Sequence, residues 1–198
     1  MTVRLVRRGS EVPRKTLHLT TAAIPLALWI GVPQRSVAML LLALFGVAVA
    51  VEIARRRSSR VATRFDQTVG MLLRPHEVAN GITGATWLLA TFAITCLAAP
   101  LPVAIAATWA GAVGDAMAAI VGATWRRMRG GQGKTIAGSA ACALAAALGA
   151  WWLAEFTLPM AIALGLVAAA VERPRMALDD NVRVTAGSAI AALILLRL

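Results

Sequence analysis

The stretch that decides the fold is residues 36–54, which read SVAMLLLALFGVAVAVEIA and are followed at once by Arg55-Arg56-Arg57. Glu52 is the one charged residue inside this run. A helix needs about 20 predominantly apolar residues to cross the hydrocarbon core of a bilayer. The run is long enough for that, and its basic end is typical of the cytoplasmic side of a membrane helix. It therefore predicts a transmembrane helix whose C-terminal end is cytoplasmic.

Six further apolar runs extend this interpretation to the whole chain, over residues 17–33, 80–99, 102–123, 136–154, 158–171 and 184–198. Hydrophobic residues make up 59% of the chain and the mean hydropathy is +0.74. A soluble fold of this size cannot bury that much apolar surface. The last two runs are short, so they would cross tilted or where the bilayer is thin. The sequence predicts an all-α, polytopic integral membrane protein, a bundle of about seven short transmembrane helices in a single domain, 1–198.

The basic residues set the predicted orientation. Of the 20 lysines and arginines, all but Arg35 and Arg197 lie in segments 1–16, 55–79, 124–135 and 172–183. These segments alternate with the apolar runs, so they lie on one side, and the positive-inside rule makes that side cytoplasmic. The N-terminus is therefore predicted in the cytoplasm, and the protein in the cell (inner) membrane. The isoelectric point near 11.7 also suits nucleic-acid binding, but charges confined to short loops favour membrane topology, and no nucleic-acid partner is expected.

Asp115 is the residue least expected in its position, since it lies inside the fourth apolar run. Gly111, Asp115, Ala118 and Gly122 are spaced to fall on one helical face. Gly114, Ala118 and Gly122 form a series of small residues that permits close helix contact and would also allow a homodimer. We expect Asp115 to face the bundle, where charged groups usually serve a function. A buried structural hydrogen bond is the alternative.

The loop that follows ends in Gly133-Lys134-Thr135 and resembles a phosphate-binding loop without matching its full pattern. Glycines let backbone N–H groups approach a phosphate, Lys134 adds a positive charge, and Thr135 can cap the next helix. A flexible basic loop is the alternative interpretation.

Two more polar clusters lie at the predicted cytoplasmic side. Glu11, Arg14, Lys15 and His18 share one helical face at the start of the first run, which argues for a retained helix and against a cleaved signal peptide. Near the end of the sixth run stand Glu172, Asp179, Asp180 and Asn181. Carboxylates with an amide suit Mg²⁺, which prefers oxygen ligands. Glu52 and Glu77 lie close to the arginine cluster, so metal or substrate binding and simple charge neutralisation are equally good readings for them.

Taken in order, these motifs resemble the CTP-dependent lipid-alcohol kinases, which include dolichol kinase, phytol kinase and the CTP-using diacylglycerol kinase of fungi. The resemblance runs from Glu11-x-x-Arg14-Lys15-x-x-His18 through Gly84-Ala85-Thr86-Trp87, Gly114-Asp115 and Lys134-Thr135-x-x-Gly138 to Asp180-Asn181. Ala137 stands where the family often has glutamate. The family is distantly similar to the phosphatidate cytidylyltransferases, whose terminal Pro-Gly-His-Gly-Gly block this chain lacks.

The resemblance implies a membrane kinase that transfers the γ-phosphoryl group of CTP, or another nucleoside triphosphate, to the hydroxyl of an isoprenoid alcohol, with Mg²⁺ as cofactor. A cytidylyltransferase that forms a CDP-lipid and a transporter or lipid-binding protein are the alternatives. The residues expected to serve are catalytic Asp115, His18 and Lys134; nucleotide-binding Arg14, Lys15, Gly122, Gly133, Lys134, Thr135 and Gly138; metal-binding Asp115, Asp180 and Asn181; and supporting Glu11, Glu52, Glu77, Glu172 and Asp179.

Overall fold

A computed structural model describes residues 11–78, 81–129, 133–174 and 178–198, and within these ranges the chain is helical and contains no strand. The side chain of Glu11 lies outside what is described. The helices are α1 (Glu11–Leu19), α2 (Ala23–Trp29), α3 (Gln34–Arg57), α4 (Ser59–Val69), α5 (Pro75–Val78), α6 (Gly84–Ala98), α7 (Leu101–Trp109), α8 (Asp115–Arg129), α9 (Ile136–Trp152), α10 (Leu158–Glu172) and α11 (Asp180–Leu195). A 3₁₀ turn joins α1 to α2, and a π-helical turn, Ala110–Gly114, joins α7 to α8.

The predicted all-α class is confirmed, and each apolar run forms a helix. Prolines mark three helix starts. Pro33 and Pro100 precede α3 and α7, and Pro159 lies in the first turn of α10, where its missing N–H breaks no helical hydrogen bond. Helix α4 was not predicted, because segment 55–79 was interpreted only as a basic loop. It is an amphipathic helix in which no residue is buried.

Two stretches of the described chain are long and apolar enough to cross a bilayer. They are Gln34–Arg57, with a mean hydropathy of 2.6, and Leu101–Arg126, with 1.5. The helices over Gly84–Ala98, Ile136–Trp152 and Leu158–Glu172 are apolar but shorter. The two long stretches differ in environment, because α3 leaves most of its apolar side chains exposed whereas α7 and α8 are largely buried within the bundle. Length and composition therefore single out two of the seven predicted spans.

Contacts between loops give the bundle two unlike ends. At one end the rings of Trp29 and Trp152 lie 6.5 Å apart, and the Gln34 side chain donates a 2.8 Å hydrogen bond to the carbonyl of Ala99. At the other end the segments rich in arginine and aspartate meet, as the long-range pair of Arg74 with Asp179 illustrates. The core between the ends is apolar and includes the fully buried Phe92. The described parts of segments 55–79, 124–135 and 172–183 therefore lie together, as the pair of Lys134 with Glu172 also shows.

Close helix packing depends on glycines, and α10 offers a test of this. A Cβ built on Gly165 would overlap the backbone carbonyl of Ala143 on α9. We expect Gly165→Ala to lower the free energy of unfolding by about 1–3 kcal/mol, because backbone cannot move aside cheaply. Thermal unfolding in detergent would measure the loss. Gly46→Ala on α3 is the matched control, since a Cβ there meets nothing within 4 Å; an equal loss in both variants would contradict this account of the packing.

Candidate functional site

The first part of the candidate site is a buried ion pair between α1 and α8. Lys15 and Asp115 are each only 2% exposed, and the Lys15 ammonium contacts the Asp115 carboxylate directly. His18, one helical turn after Lys15, brings its Nε2 atom within 3.9 Å of the same carboxylate. Asp115 therefore faces the interior of the bundle, as predicted. The Lys15 ammonium would have to exchange Asp115 for a phosphate in order to bind a nucleotide, and its predicted nucleotide-binding role stays a prediction.

The π-helical turn before Asp115 gives His18 a defined tautomer. His18 Nε2 lies 2.9 Å from the backbone carbonyl oxygen of Gly111, which lies in this turn. A carbonyl oxygen only accepts hydrogen bonds, so Nε2 carries the proton and donates. In the neutral ring Nδ1 is then the nitrogen with a free lone pair. Single π turns within α-helices occur frequently at functional sites.

The predicted face of small residues around Asp115 is divided among three neighbours. A Cβ on Gly111 would meet Thr185 on α11, whereas Gly122 lies against Gly138 on α9, and Asp115 itself turns toward α1. The π turn has more residues per turn than an α-helix, which rotates Gly111 relative to the residues that follow it. Asp115, Ala118 and Gly122 lie within α8 and keep the predicted helical spacing. Gly122 and Gly138 allow α8 and α9 to pack closely, so these small residues make a contact between two helices of the same chain.

The second part of the site is a cluster of charges around Asp180 at the start of α11. Lys134 lies 2.7 Å from Glu172 and 3.6 Å from Asp180. Arg183 contacts Asp180 from the same helix. Arg74, the residue directly before α5, also contacts this cluster, with nitrogen–oxygen distances of 2.9 Å to Asp179 and 3.2 Å to Asp180. Lys134, Glu172, Asp179 and Asp180 are thus brought together as predicted. Arg74 and Arg183 were not singled out from the sequence.

The loop before α9 has the predicted cap. The Thr135 hydroxyl accepts a 3.0 Å hydrogen bond from the Gly138 backbone N–H, so Thr135 is the N-cap of α9. Arg126 donates to the Gly133 carbonyl at 2.6 Å, which ties the end of α8 to this loop. Lys134 therefore stands beside the N-terminus of a 17-residue helix, and the positive dipole end of a helix favours a bound anion.

Asn181 is the residue that follows this cluster, and it has one open hydrogen-bonding position. Its side-chain N–H donates to the Gly84 carbonyl at 2.9 Å, which fixes the orientation of the amide. The side-chain oxygen, Oδ1, is buried and has no hydrogen-bond partner among the described residues. A buried acceptor without a partner costs free energy. Asn181 Oδ1 is therefore an acceptor that a bound ligand would satisfy.

Glu52 and Glu77 organise the backbone between α5 and α6. The Thr83 N–H donates to Glu52 at 2.8 Å, and the Gly84 N–H donates to Glu77 at 2.7 Å, which satisfies free N–H groups at the start of α6. Arg55 is buried between Glu52 and the carbonyl of Glu77, with its guanidinium 2.6 Å from the Glu52 carboxylate. The sequence left metal or substrate binding and charge neutralisation open for Glu52. The observed contact with Arg55 is charge neutralisation.

A cavity of about 470 Å³ opens beside these groups. Its wall is mostly apolar and includes Phe65 and Val69 of α4 as well as Leu88 of α6. Polar groups lie on one part of the wall, and Arg14, His18 and Asn181 are among them. An apolar cavity of this size with a few converging polar groups is the usual form of a small-molecule site. Arg14 contributes here, at the cavity, and its predicted role in nucleotide binding stays a prediction.

The predicted magnesium ligands fit a metal in part. Among the residues that the structure describes there is no group of three or more histidine, cysteine or acidic side chains able to hold a metal ion. Asp115 is paired with Lys15, and Asp180 with Arg183 and Lys134, so a metal ion would have to displace a cation from either carboxylate. Mg²⁺ that arrives with a nucleotide needs only one or two carboxylates in addition to phosphates. Asp180 and the open oxygen of Asn181 meet that requirement.

Comparisons of the chain with protein-family models, with curated proteins and with solved structures found no match.

Proposed function

We propose that the protein is a membrane kinase that transfers the γ-phosphoryl group of CTP, or another nucleoside triphosphate, to the hydroxyl of an isoprenoid alcohol at the cytoplasmic face. The membrane setting is supported by the apolar side chains exposed along the helices, such as Leu40 and Val47 on α3 and Leu166 on α10. Contiguous apolar surface of this extent marks a lipid or protein contact. The polar cluster at one end of the bundle supports a site at one membrane face.

The observation that carries the proposal is the position of Asn181. It lines the apolar cavity, and it directly follows Asp180, which belongs to the charged cluster with Lys134. An apolar chain in the cavity and a phosphate chain beside Lys134 would therefore meet at this residue. A transporter needs access from both sides to a site near the middle of the membrane. The described charges concentrate at one end of the bundle, which favours an enzyme that joins a lipid to a soluble substrate.

Phosphoryl transfer depends mainly on positioning and on neutralising charge. Lys134, beside the N-terminus of α9, would hold the phosphates, and Arg74 is placed to assist. Asp180 and Asn181 Oδ1 would hold Mg²⁺, which neutralises phosphate charge when bound. In the described state Lys134 and Arg74 are paired with the carboxylates of Glu172, Asp179 and Asp180. Binding of the nucleotide would exchange these partners, since each phosphate replaces a carboxylate on a cation.

The proton of the alcohol would pass to His18. His18 lines the cavity, and its hydrogen bond to Gly111 leaves Nδ1 as the acceptor nitrogen. The γ-phosphorus–oxygen bond to the leaving nucleoside diphosphate breaks, the bond to the alcohol oxygen forms, and Nδ1 takes the hydroxyl proton. A positioned general base contributes about 10²–10⁴-fold to such a step.

A label-transfer assay tests the proposal. Purified protein in detergent with Mg²⁺ is offered CTP or ATP labelled in the γ-phosphate, with phytol, a medium-chain polyprenol or diacylglycerol as acceptor. We expect label in a lipid phosphate with an isoprenoid alcohol. His18→Gln, which keeps a hydrogen-bond donor to Gly111, should lower kcat at least about 100-fold. No transfer for any pair would contradict the proposal, and movement of label only with diacylglycerol would correct the acceptor class.

A further inference from the structure

Helix α4 and the end of α3 present a basic surface that the proposed reaction does not use. Residues 55–69 contain five arginines and one aspartate, Asp66. Arg57, Arg60 and Arg64 are exposed, and the side chain of Arg56 is 41% exposed. Arg55 is the exception, because it is buried against Glu52. This outer surface is strongly cationic.

The opposite face of α4 is apolar and belongs to the cavity. Phe65 and Val69, four residues apart, both line the cavity, and Leu72 in the following 3₁₀ turn does so too. The Arg55 guanidinium lies 5.1 Å above the Phe65 ring. None of the residues of α4 is buried, so the helix covers the cavity without being enclosed by other helices. A short helix with one basic and one apolar face suits the plane of a membrane interface.

We propose that α4 and the end of α3 bind the headgroups of anionic phospholipids, and that this contact holds α4 over the mouth of the cavity. The partner is a lipid surface because the exposed arginines lie at the end of the bundle predicted to meet the headgroups, where they reach phosphates, while Phe65 and Val69 keep the other face of α4 against the cavity. Each arginine near an anionic surface strengthens binding by about fivefold at physiological salt. Neutralising three should weaken it on the order of a hundredfold. This inference rests on the membrane setting of the proposed function.

The test measures the position of α4 and not turnover. Thr63 is exposed on α4, so Thr63→Cys carries an environment-sensitive fluorophore, while the native Cys96 and Cys142 are buried. The full chain is placed in nanodiscs that are purely zwitterionic or contain phosphatidylglycerol. We expect a spectral shift with phosphatidylglycerol that weakens as salt rises. Inorganic phosphate added to zwitterionic nanodiscs should produce no such shift, which separates a lipid surface from a free anion.

Matched variants decide the outcome. Arg57→Gln, Arg60→Gln and Arg64→Gln together should abolish the shift. Arg35→Gln with Arg197→Gln, which removes exposed arginines predicted on the other side, should leave it intact. An unchanged shift in the triple variant, or no shift with phosphatidylglycerol, overturns the inference. Because the readout needs no nucleotide, a protein without kinase activity that still shows the shift would reject the proposed function and keep this surface.

Discussion

Replacing Asp115 by asparagine is expected to lower kcat at least about 100-fold. Its carboxylate lies 3.9 Å from His18 Nε2, and we propose that it stabilises the positive charge that His18 gains when Nδ1 takes the proton. The same change leaves the Lys15 ammonium buried without its partner. Breaking a buried ion pair from one side costs about 3–5 kcal/mol. Loss of activity in the single variant therefore has two possible causes, and both must be measured.

A double variant separates these causes. Lys15→Met with Asp115→Leu removes both charges and keeps the volumes similar, and such replacements are often neutral for stability. We expect the double variant to unfold near the temperature of the unchanged protein and still to show no turnover. Thermal unfolding and label transfer on the same preparation provide the two readings. If the double variant recovers activity together with stability, Asp115 is a structural partner of Lys15 and has no role in the chemistry.

Replacing Asn181 by alanine is expected to raise the Mg²⁺ concentration for half-maximal activity at least about tenfold. Asn181 Oδ1 is a buried oxygen without a hydrogen-bond partner among the described residues, and Asn181 directly follows Asp180 in the sequence. Loss of the hydrogen bond to Gly84 should also cost about 1–3 kcal/mol of stability. The measurement is a titration of label transfer with Mg²⁺ at saturating nucleotide.

Thr185→Val is the matched control for that titration. Thr185 lies one turn further along α11, is also buried, and also has a hydroxyl without a partner among the described residues. It lies against Gly111 and not at the cavity wall. Its removal should leave the Mg²⁺ dependence unchanged. An Asn181→Ala protein that retains the original Mg²⁺ dependence would remove Asn181 from the metal site.

The positions of the helices were predictable because apolar runs and prolines act locally. The run 36–54 became the centre of Gln34–Arg57, and the run 136–154 matches Ile136–Trp152 within a few residues. Helix α4 was missed because its arginines drew attention to net charge, although Phe65 and Val69 already had the spacing of an apolar helical face. The four-residue spacing of these two apolar residues predicts the helix better than the net charge of the segment does.

The sequence predicted some of the residues that belong to the site, but it did not predict which of them contact one another. Sequence placed Lys134, Glu172 and Asp180 on one side of the bundle, and they do form one cluster. Arg74 joins that cluster from a position 105 residues away from Asp179, and no local pattern indicates such a contact. Arg183 had a local signal that was overlooked, since it stands three residues after Asp180 on the same helix.

The π turn limits what helical spacing predicts around Asp115, because Gly111 lies in that turn and Asp115 lies in α8. Helical spacing assumes a constant rotation per residue, and Ala110–Gly114 departs from it. Lys15 has a partner that its own motif does not indicate. Its partner is set by the packing of α1 against α8, which brings Asp115 to it across 100 residues. Such a pairing follows from the tertiary structure and not from the motif that contains Lys15.

The most direct test of the central claim is one incubation with CTP that carries different labels in the γ-phosphate and in the cytosine ring. The protein is supplied with Mg²⁺ and the isoprenoid alcohol that responds in the label-transfer assay, and the lipid product is extracted and counted for both labels. The account predicts γ-phosphate label in the lipid, no cytosine label there, and release of CDP. Cytosine label in the lipid, with release of pyrophosphate, would contradict a kinase and establish nucleotidyl transfer.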